Sequence, residues 1–247
     1  MDAIILGGAL NKGALRESDD QKYEAAIKIH DQPMVQYVLA ALEKMQSIEQ
    51  MIMVAPEEMA DSIVSKKRLE FVPPGDSMVD SLLRALSRLD TDKHVLVLTS
   101  DIPLITPEAL EDFLQQCAKR EADIYYSFVP KEAIEEKYPG VHRTYVRLLD
   151  GTFTGGNVVL INPQVVLARR QRILQAVQLR KHPVKLCRML GFKFFLKLMI
   201  GRLSVAEIEK RVGEILGFIG AGIVSKYPEV GVDVDKPSDL ELAKACL

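Results

Sequence analysis

The sequence predicts an α/β fold in which a mostly parallel sheet is covered by helices on both faces. Short apolar runs of strand length alternate with segments whose apolar residues recur at helical spacing. Such alternation is typical of parallel sheets, because two parallel strands are usually joined by a crossing helix. The predicted strands in this part of the chain are residues 2–6, 51–55, 69–72, 95–98 and 123–129.

Four predicted helices separate these strands, a short one at about residues 57–65 and three others. Of these three, the first follows Pro33 and the second follows Gly75, and in both the apolar residues lie three and four positions apart. The third begins at Thr106 and Pro107, which suit the N-cap and the first turn. Right-handed crossovers bring the strand-end loops to one edge of the sheet. We therefore expect the loops at residues 7–8, 74–75 and 101 to meet there.

The pattern changes after about residue 130. Residues 143–148 and 158–161 read as strands, and a long helical stretch is predicted for residues 163–217. Residues 230–235 read as a last strand with Asp233 and Asp235 on one side, because side chains alternate along a strand. A helix follows this strand. We treat the chain, residues 1–247, as one domain.

Composition excludes several classes of protein. Hydrophobic residues make up 48% and charged residues 27%, with a net charge of -2, which fits a globular protein and does not indicate a nucleic-acid partner. Three cysteines lie far apart, which argues against a zinc site and for a reducing compartment. Without a recognisable secretory signal or membrane span, we expect a cytoplasmic protein.

The first candidate site is the loop after residues 2–6. Gly7 and Gly8 would let backbone N–H groups approach an anion, and ligands of open α/β sheets bind beyond the carboxyl ends of the strands. Arg16 and Lys22, farther along the loop, are candidate cations for a pyrophosphate. A tight turn followed by a solvated loop of mixed charge is the alternative, because residues 17, 19 and 20 are acidic.

The sharpest single candidate is Asp101, which follows an entirely apolar strand. A carboxylate in that position suits Mg²⁺, which proteins usually hold by one or two carboxylates together with substrate phosphates. Asp233 or Asp235 is the candidate second carboxylate. Alternatively, Asp101 is a turn residue and Asp235 caps the last helix.

Gly155, Gly156 and Asn157 precede a predicted strand. Paired glycines suggest a close backbone approach to a ligand, and an asparagine amide both donates and accepts hydrogen bonds. A β-bulge or a turn explains the glycines equally well.

Residues 151–206 contain no acidic residue and ten cations, and residues 183–200 form a basic amphipathic pattern. Its apolar face is either ordinary core, a contact with an anionic membrane or lipid-linked substrate, or a homodimer contact. The ten cations are Arg169, Arg170, Arg172, Arg180, Lys181, Lys185, Arg188, Lys193, Lys197 and Arg202.

In order and spacing, these motifs resemble the MobA-like nucleotidyltransferases, a GT-A fold group that includes molybdenum-cofactor guanylyltransferase and sugar-phosphate nucleotidylyltransferases. The resemblance rests on Leu6-Gly7-Gly8, Arg16, Lys22, Pro33-Met34, residues 99–104, Gly156-Asn157 and residues 235–240. It implies a Rossmann-like three-layer α/β/α fold with a mixed, mostly parallel sheet of the nucleotide-diphospho-sugar transferase type. Residues 163–217 would then be a basic helical insertion, which minimal members of the family lack.

The resemblance also implies an NTP substrate, a small-molecule or lipid-linked phosphate acceptor, and Mg²⁺ or Mn²⁺ on Asp101 with Asp235 or Asp233. Arg16, Lys22 and Asp101 would be catalytic, and residues 155–157 would bind the acceptor. The nucleotide would contact Leu6, Gly7, Gly8, Gly13, Arg16, Lys22, Gly75, Asp76 and Ser100. The loop departs from the family pattern, because Ala14-Leu15-Arg16-Glu17 replaces a compact Arg-Met-Gly.

The function we predict is nucleotidyl transfer, in which an acceptor phosphate or hydroxyl attacks the α-phosphorus of an NTP and pyrophosphate leaves. A GT-A glycosyltransferase that uses a nucleotide sugar is one alternative, and the lack of a central Asp-x-Asp motif speaks against it. A non-catalytic nucleotide-binding or membrane-surface protein is the other alternative, because the loop between Arg16 and Lys22 is acidic.

Overall fold

The computed structural model describes residues 1–179 and 191–247. The strands are β1 (Asp2–Leu6), β2 (Lys28–Ile29), β3 (Gln32–Pro33), β4 (Gln50–Val54), β5 (Arg68–Val72), β6 (Val95–Thr99), β7 (Ile124–Pro130), β8 (Val146–Leu148), β9 (Gly151–Ile161) and β10 (Gly220–Val224). The helices are α1 (Met34–Lys44), α2 (Met78–Leu86), α3 (Pro107–Cys117), α4 (Lys131–Lys137), α5 (Pro163–Ala168), α6 (Arg170–Leu179), α7 (Phe192–Met199), α8 (Val205–Leu216) and α9 (Pro237–Cys246).

The main sheet is mixed and mostly parallel, as predicted. Its strand order is β10-β7-β9-β6-β1-β4-β5, and the short β8 pairs with β9. β1 is parallel to β4 and β6, whereas β9 is antiparallel to both β6 and β7. Because β9 reverses direction between them, β6 and β7 are parallel to each other, and their carboxyl ends lie at the same edge of the sheet.

Helices cover both faces of the sheet, which confirms the three-layer prediction. Successive residues of β1 point to opposite faces, so that Ile5 packs in the core under α1, α3 and α9, and Ile4 packs in the core under α2, α5 and α6. Both isoleucines are fully buried. A smaller third cluster joins β7, β8 and β9 to α7 and α8 around Phe153.

The predicted helical stretch at residues 163–217 is a set of shorter helices. Gly191, Gly201 and Gly217 have φ values of 96°, 64° and 75°, a region that L side chains rarely adopt, and each lies at a helix boundary. The part of the predicted 183–200 helix that precedes residue 191 lies outside the described residues. In residues 1–179 and 191–247, no helix is both long and apolar enough to cross a bilayer.

The predicted strand at residues 230–235 is wrong. Pro228–Gly231 forms a 3₁₀ turn, and the extended residues after it join no sheet. The physical reason is that the segment packs against the end of β6, where the Val234 N–H donates to the Asp101 carbonyl at 2.8 Å. Its alternating pattern therefore reflects burial against a strand end.

Candidate active site

The loops after β1, β5 and β6 meet at one edge of the sheet, as the crossover rule predicts. They line a cavity of about 260 Å³. The Ser100 N–H donates to the Leu6 carbonyl at 3.2 Å, which ties the first loop to the third. The predicted residues that line the cavity are Leu6, Gly8, Gly75, Asp76, Ser100 and Asp101.

Close backbone packing explains the two glycines after β1. A Cβ at Gly8 would lie 2.5 Å from the Cβ of Pro74, and a Cβ at Gly7 would lie 3.0 Å from the Met53 side chain. The Gly7 N–H donates to the Val54 carbonyl of β4 at 2.8 Å, so it already has an acceptor. Of the pair, only Gly8 lines the cavity.

The turn between β5 and α2 is held by short side chains of α2. The Gly75 N–H donates to Ser81 Oγ at 3.0 Å, and the Asp76 N–H donates to Asp80 Oδ2 at 3.3 Å. A Cβ at Gly75 would lie 2.7 Å from the Cβ of Asp80, so this position needs glycine. The turn therefore presents a fixed wall to the cavity.

Three carboxylates converge beside the cavity. One oxygen from each of Asp101, Asp233 and Asp235 lies within 4.8 Å of the other two. Asp101 Oδ1 is buried and has no hydrogen-bond partner among the described residues. Oxygen atoms grouped in this way are the ligands that Mg²⁺ and other hard divalent cations prefer, and a buried carboxylate oxygen without a donor fits such an ion.

The Asp235 side chain does not cap the last helix. The N-cap of α9 is Lys236, which makes no side-chain cap hydrogen bond, and Asp235 is exposed. The Asp235 N–H donates to Asp239 Oδ2 at 3.2 Å, which leaves the Asp235 carboxylate beside Asp101.

Burial changes the proton affinity of this cluster. The pKa of Asp233 is raised to about 7, and loss of solvent is the largest cause. Repulsion from Asp101 and Asp235 also raises it, whereas attraction to Arg143 lowers it. Burial likewise raises the pKa of Asp101 above its ordinary value, and the charge on Asp235 adds to the effect. The cluster therefore favours a bound proton or a bound cation.

Arg143, which the sequence analysis missed, holds one side of the cluster in place. Its side chain is 7% exposed, and Nη1 lies 2.9 Å from Asp233 Oδ1 and 3.8 Å from Asp239 Oδ2. Its Nη2 also donates to the Asp233 carbonyl. Arg143 precedes β8 in an irregular segment and belongs to no motif, so only the contact across ninety residues of sequence reveals its role.

Glu24 is a second residue that the motifs missed. It lines the cavity from a short 3₁₀ turn, Glu24–Ala26, and its N–H donates to the Ala9 carbonyl at 3.1 Å. Burial raises the pKa of Glu24 to about 7, and the charges on Asp101 and Asp235 add to this. Its position two residues after Lys22 was the only signal available in the sequence.

The two predicted cations have other partners in this structure and do not line the cavity. The Arg16 guanidinium donates to the carbonyls of Asp20 and Gln21, the latter at 2.9 Å. Lys22 Nζ lies 2.9 Å from a Glu58 carboxylate oxygen, and this hydrogen bond raises the pKa of Lys22. Gly13, with φ at 88°, starts the Arg16 turn in open space.

The predicted acceptor residues lie within β9, where a register shift marks a bulge opposite β7. A Cβ at Gly155 would lie 2.4 Å from Tyr126 Oη, and one at Gly156 would lie 2.2 Å from Ser127 Oγ. The glycines therefore fit the irregular pairing of β7 with β9, and contact of residues 155–157 with an acceptor stays a prediction. Asn157 precedes Val158, the partner of Leu98 in β6, and its amide nitrogen lies 3.5 Å from the Val230 carbonyl.

Comparisons with known proteins agree with this geometry. The profile of the MobA-like NTP transferase domain matches residues 20–193. A hypothetical transferase structure from Thermus thermophilus is 38% identical, with a TM-score of 0.86 over 97% of this chain and 98% of that one. The 2-C-methyl-D-erythritol 4-phosphate cytidylyltransferase of Francisella tularensis shares the fold at 11% identity, with a TM-score of 0.64 over 100% and 99% of the two chains.

The bifunctional protein GlmU of Thermodesulfovibrio yellowstonii is 26% identical over 152 residues, which are 60% of this chain and 31% of that protein. The chain thus spans about a third of the length of that curated relative. The profile match covers well over half of the present chain, and the carboxylates of its predicted metal site converge at the strand ends. The chain therefore belongs to the MobA-like NTP transferase family, and its fold is that of a nucleotidyltransferase domain.

Proposed function

We propose that the protein transfers a nucleoside monophosphate from an NTP to an acceptor phosphate or hydroxyl, with release of pyrophosphate, in a reaction that needs Mg²⁺ or Mn²⁺. The observation that carries the proposal is the Asp101 cluster, which lies beside a cavity lined by strand-end loops. Family membership supports nucleotidyl transfer in general.

In this proposal, Asp101 and Asp235 hold the metal ion. Asp233 already pairs with Arg143 at 2.9 Å, whereas Asp235 is exposed and has no such cation among the described residues. The ion would neutralise phosphate charge beside a cluster that otherwise repels an NTP. Burial raises the pKa values of Glu24, Asp101 and Asp233, and the charge on Asp235 adds to each shift. Among the described residues, Arg143 is the cation that offsets this for Asp101 and Asp233, so a divalent ion is a natural further counter-charge.

The NTP would occupy the cavity between Gly8 and the 74–77 turn. The Gly8 backbone would face the phosphates, and Gly75 and Asp76 would contact the ribose or base. Little covalent chemistry falls to the protein, which positions the acceptor oxygen in line with the α-phosphorus and stabilises the charge of the leaving group.

Arg16 and Lys22 would bind the leaving pyrophosphate after a change in their contacts. The Lys22–Glu58 pair is exposed, with side chains 65% and 57% accessible, and solvent screens a pair of this kind so that it adds little to stability. An NTP triphosphate competes easily with such a partner. The bulge at residues 155–157, next to the end of β6, would face the acceptor.

Thermal unfolding with each of the four NTPs, with and without Mg²⁺, tests the proposal. A ligand at 100 times its dissociation constant stabilises the folded protein by about 2.7 kcal/mol. We expect a Mg²⁺-dependent shift for one NTP, which Asp101→Asn abolishes. Asp112→Asn, in α3 beside Lys226 and outside the cavity lining, should leave the shift intact. A shift with nucleotide sugars alone would instead identify a glycosyltransferase, and a shift without turnover would identify a nucleotide-binding protein.

A further inference from the structure

A second cavity, of about 370 Å³, lies between the end of the sheet and the helices α6, α7 and α8. Its walls are almost entirely apolar, and it falls within the roughly 300–1,000 Å³ of ordinary ligand pockets. Apolar cavities stay dry and accept apolar ligands, because water finds no hydrogen-bond partners in them. The principal lining side chains are Phe128, Phe153, Phe194, Leu198, Val212 and Leu216.

Part of this apolar cavity is lined by residues near the edge of the sheet where the carboxylate cluster lies. Phe128 is near the carboxyl end of β7, and Thr154 and Gly155 are near the start of the antiparallel β9. Gly155 is two residues before Asn157. A Cβ at Gly231, two residues before Asp233, would lie 3.2 Å from Thr154 Cγ2. The floor of the cavity therefore adjoins the predicted acceptor bulge, whereas the segment that leads to Asp233 and Asp235 packs against the opposite face of the same strands.

The outer face of α7, beside the cavity, exposes an apolar stripe. Phe192 is 75% and Met199 67% accessible, and Leu196 and Ile200 complete the same helical face. Exposed apolar stripes of this size mark contact with a membrane or another protein.

Positive charge surrounds the same region. Residues 163–179 and 191–217 together contain eight Lys and Arg residues and three Glu residues. Arg147 lies between Val146 and Leu148 of the cavity wall, and Arg169 donates to the carbonyl of Gly217, which follows Leu216 of that wall. A basic, apolar face is complementary to anionic lipid and repels a second copy of itself.

We propose that the acceptor is a membrane lipid phosphate whose hydrocarbon chain enters this apolar cavity. The proposal rests on the proposed function and names its acceptor class. A phosphate oxygen of the lipid attacks the α-phosphorus of the NTP, the bond from that phosphorus to the β-phosphate bridging oxygen breaks, and pyrophosphate leaves. The product is a lipid joined to a nucleoside through a diphosphate, and the reaction needs no other co-reactant.

Binding of n-butyl, n-octyl and n-dodecyl phosphate to the full-length protein without NTP, measured by calorimetry below the micelle concentration, tests the apolar cavity directly. Affinity should rise about fourfold for each added methylene, which is about 0.8 kcal/mol, until the cavity is full. Val212→Phe, which adds volume inside the cavity, should weaken dodecyl phosphate binding at least tenfold. The same substitution in an exposed loop, Val64→Phe, should leave binding unchanged.

Equal affinity for the butyl and dodecyl compounds would overturn the proposal, as would dodecyl binding that neither Val212→Phe nor the second filling variant, Ala176→Leu, weakens. Both filling variants must keep the thermal shift with Mg²⁺ and NTP, which shows that they fold. Chain-length-dependent binding without any NTP shift would refute the transferase function alone. With both present, pyrophosphate release should be faster with dodecyl than with butyl phosphate, and equal rates would remove the lipid from the acceptor role.

Discussion

Without metal, the protein should lose stability as the pH rises from about 4 to about 7, and Asp233 should account for much of the loss. Asp233 has its pKa raised from 3.8 to about 7, and its side chain is 22% exposed. In this interval the folded state therefore binds a proton that the unfolded chain has released. By linkage, the free energy of unfolding falls with pH wherever the folded state holds more protons.

The magnitude follows from the size of the shift. One pKa unit corresponds to about 1.4 kcal/mol, so a pKa change from 3.8 to about 7 corresponds to about 4 kcal/mol in the free energy of unfolding. This contribution is fully lost above the pKa of the folded state. Other carboxylates act in the opposite direction, since a salt bridge or hydrogen bond lowers the pKa of Glu49, Glu58 and Glu207. The informative quantity is therefore the difference between the wild type and Asp233→Asn, which cannot ionise.

Urea unfolding in a metal chelator, between about pH 4.5 and pH 8, measures this difference. The wild type should lose stability relative to Asp233→Asn as the pH rises, and Mg²⁺ added above pH 7 should restore it, because the cation replaces the proton. Parallel stability curves for the two proteins would refute the reasoning. If the wild type instead becomes more stable relative to Asp233→Asn as the pH rises, attraction to Arg143 outweighs the loss of solvent around Asp233.

Three further variants test separate parts of the site. Gly8→Ala places a Cβ 2.5 Å from that of Pro74, so the free energy of unfolding in urea should fall by about 1–3 kcal/mol. A fall below about 0.5 kcal/mol would show that the Pro74 turn shifts to make room. Arg143→Met strands a buried carboxylate and should cost about 3–5 kcal/mol near pH 8, with a smaller cost near pH 5 in the same assay. Lys22→Ala should leave the unfolding midpoint almost unchanged, since its partner Glu58 is exposed, yet it should lower kcat/KM for the NTP. Unchanged kinetics would remove Lys22 from the site.

The regular part of the fold was predictable because its signals are local. Apolar strands such as Val95–Thr99 and the Thr106–Pro107 helix start depend on neighbouring residues, and the crossover rule then places Asp101 at the correct edge. Asp101 was accessible to sequence reasoning for this reason. Its position at the end of a buried strand says where it lies before any contact is known.

The residues that the sequence analysis missed have only long-range signals. Arg143 meets Asp233 across ninety residues, and Glu24 approaches Asp101 and Asp235 from a loop whose length fits no compact family pattern. Residues 230–235 look like a strand because a strand in a sheet and an extended segment packed against a strand end both bury every second side chain. Only the Val234–Asp101 hydrogen bond distinguishes a segment packed against a strand end from one within the sheet.

The same contacts explain how three carboxylates are held close together. Asp101 and Asp233 are brought together by the Val234 hydrogen bond to the Asp101 carbonyl and by Arg143, which pairs with Asp233 and approaches Asp239 in the first turn of α9. These contacts offset a repulsion that would otherwise separate the segments. The burial that raises the carboxyl pKa values also strengthens attraction to a divalent ion, so in the proposed mechanism metal binding would restore stability that burial of the carboxylates costs. Metal affinity and folding stability should therefore change together in variants of Arg143, whereas variants of Lys22 should alter catalysis alone.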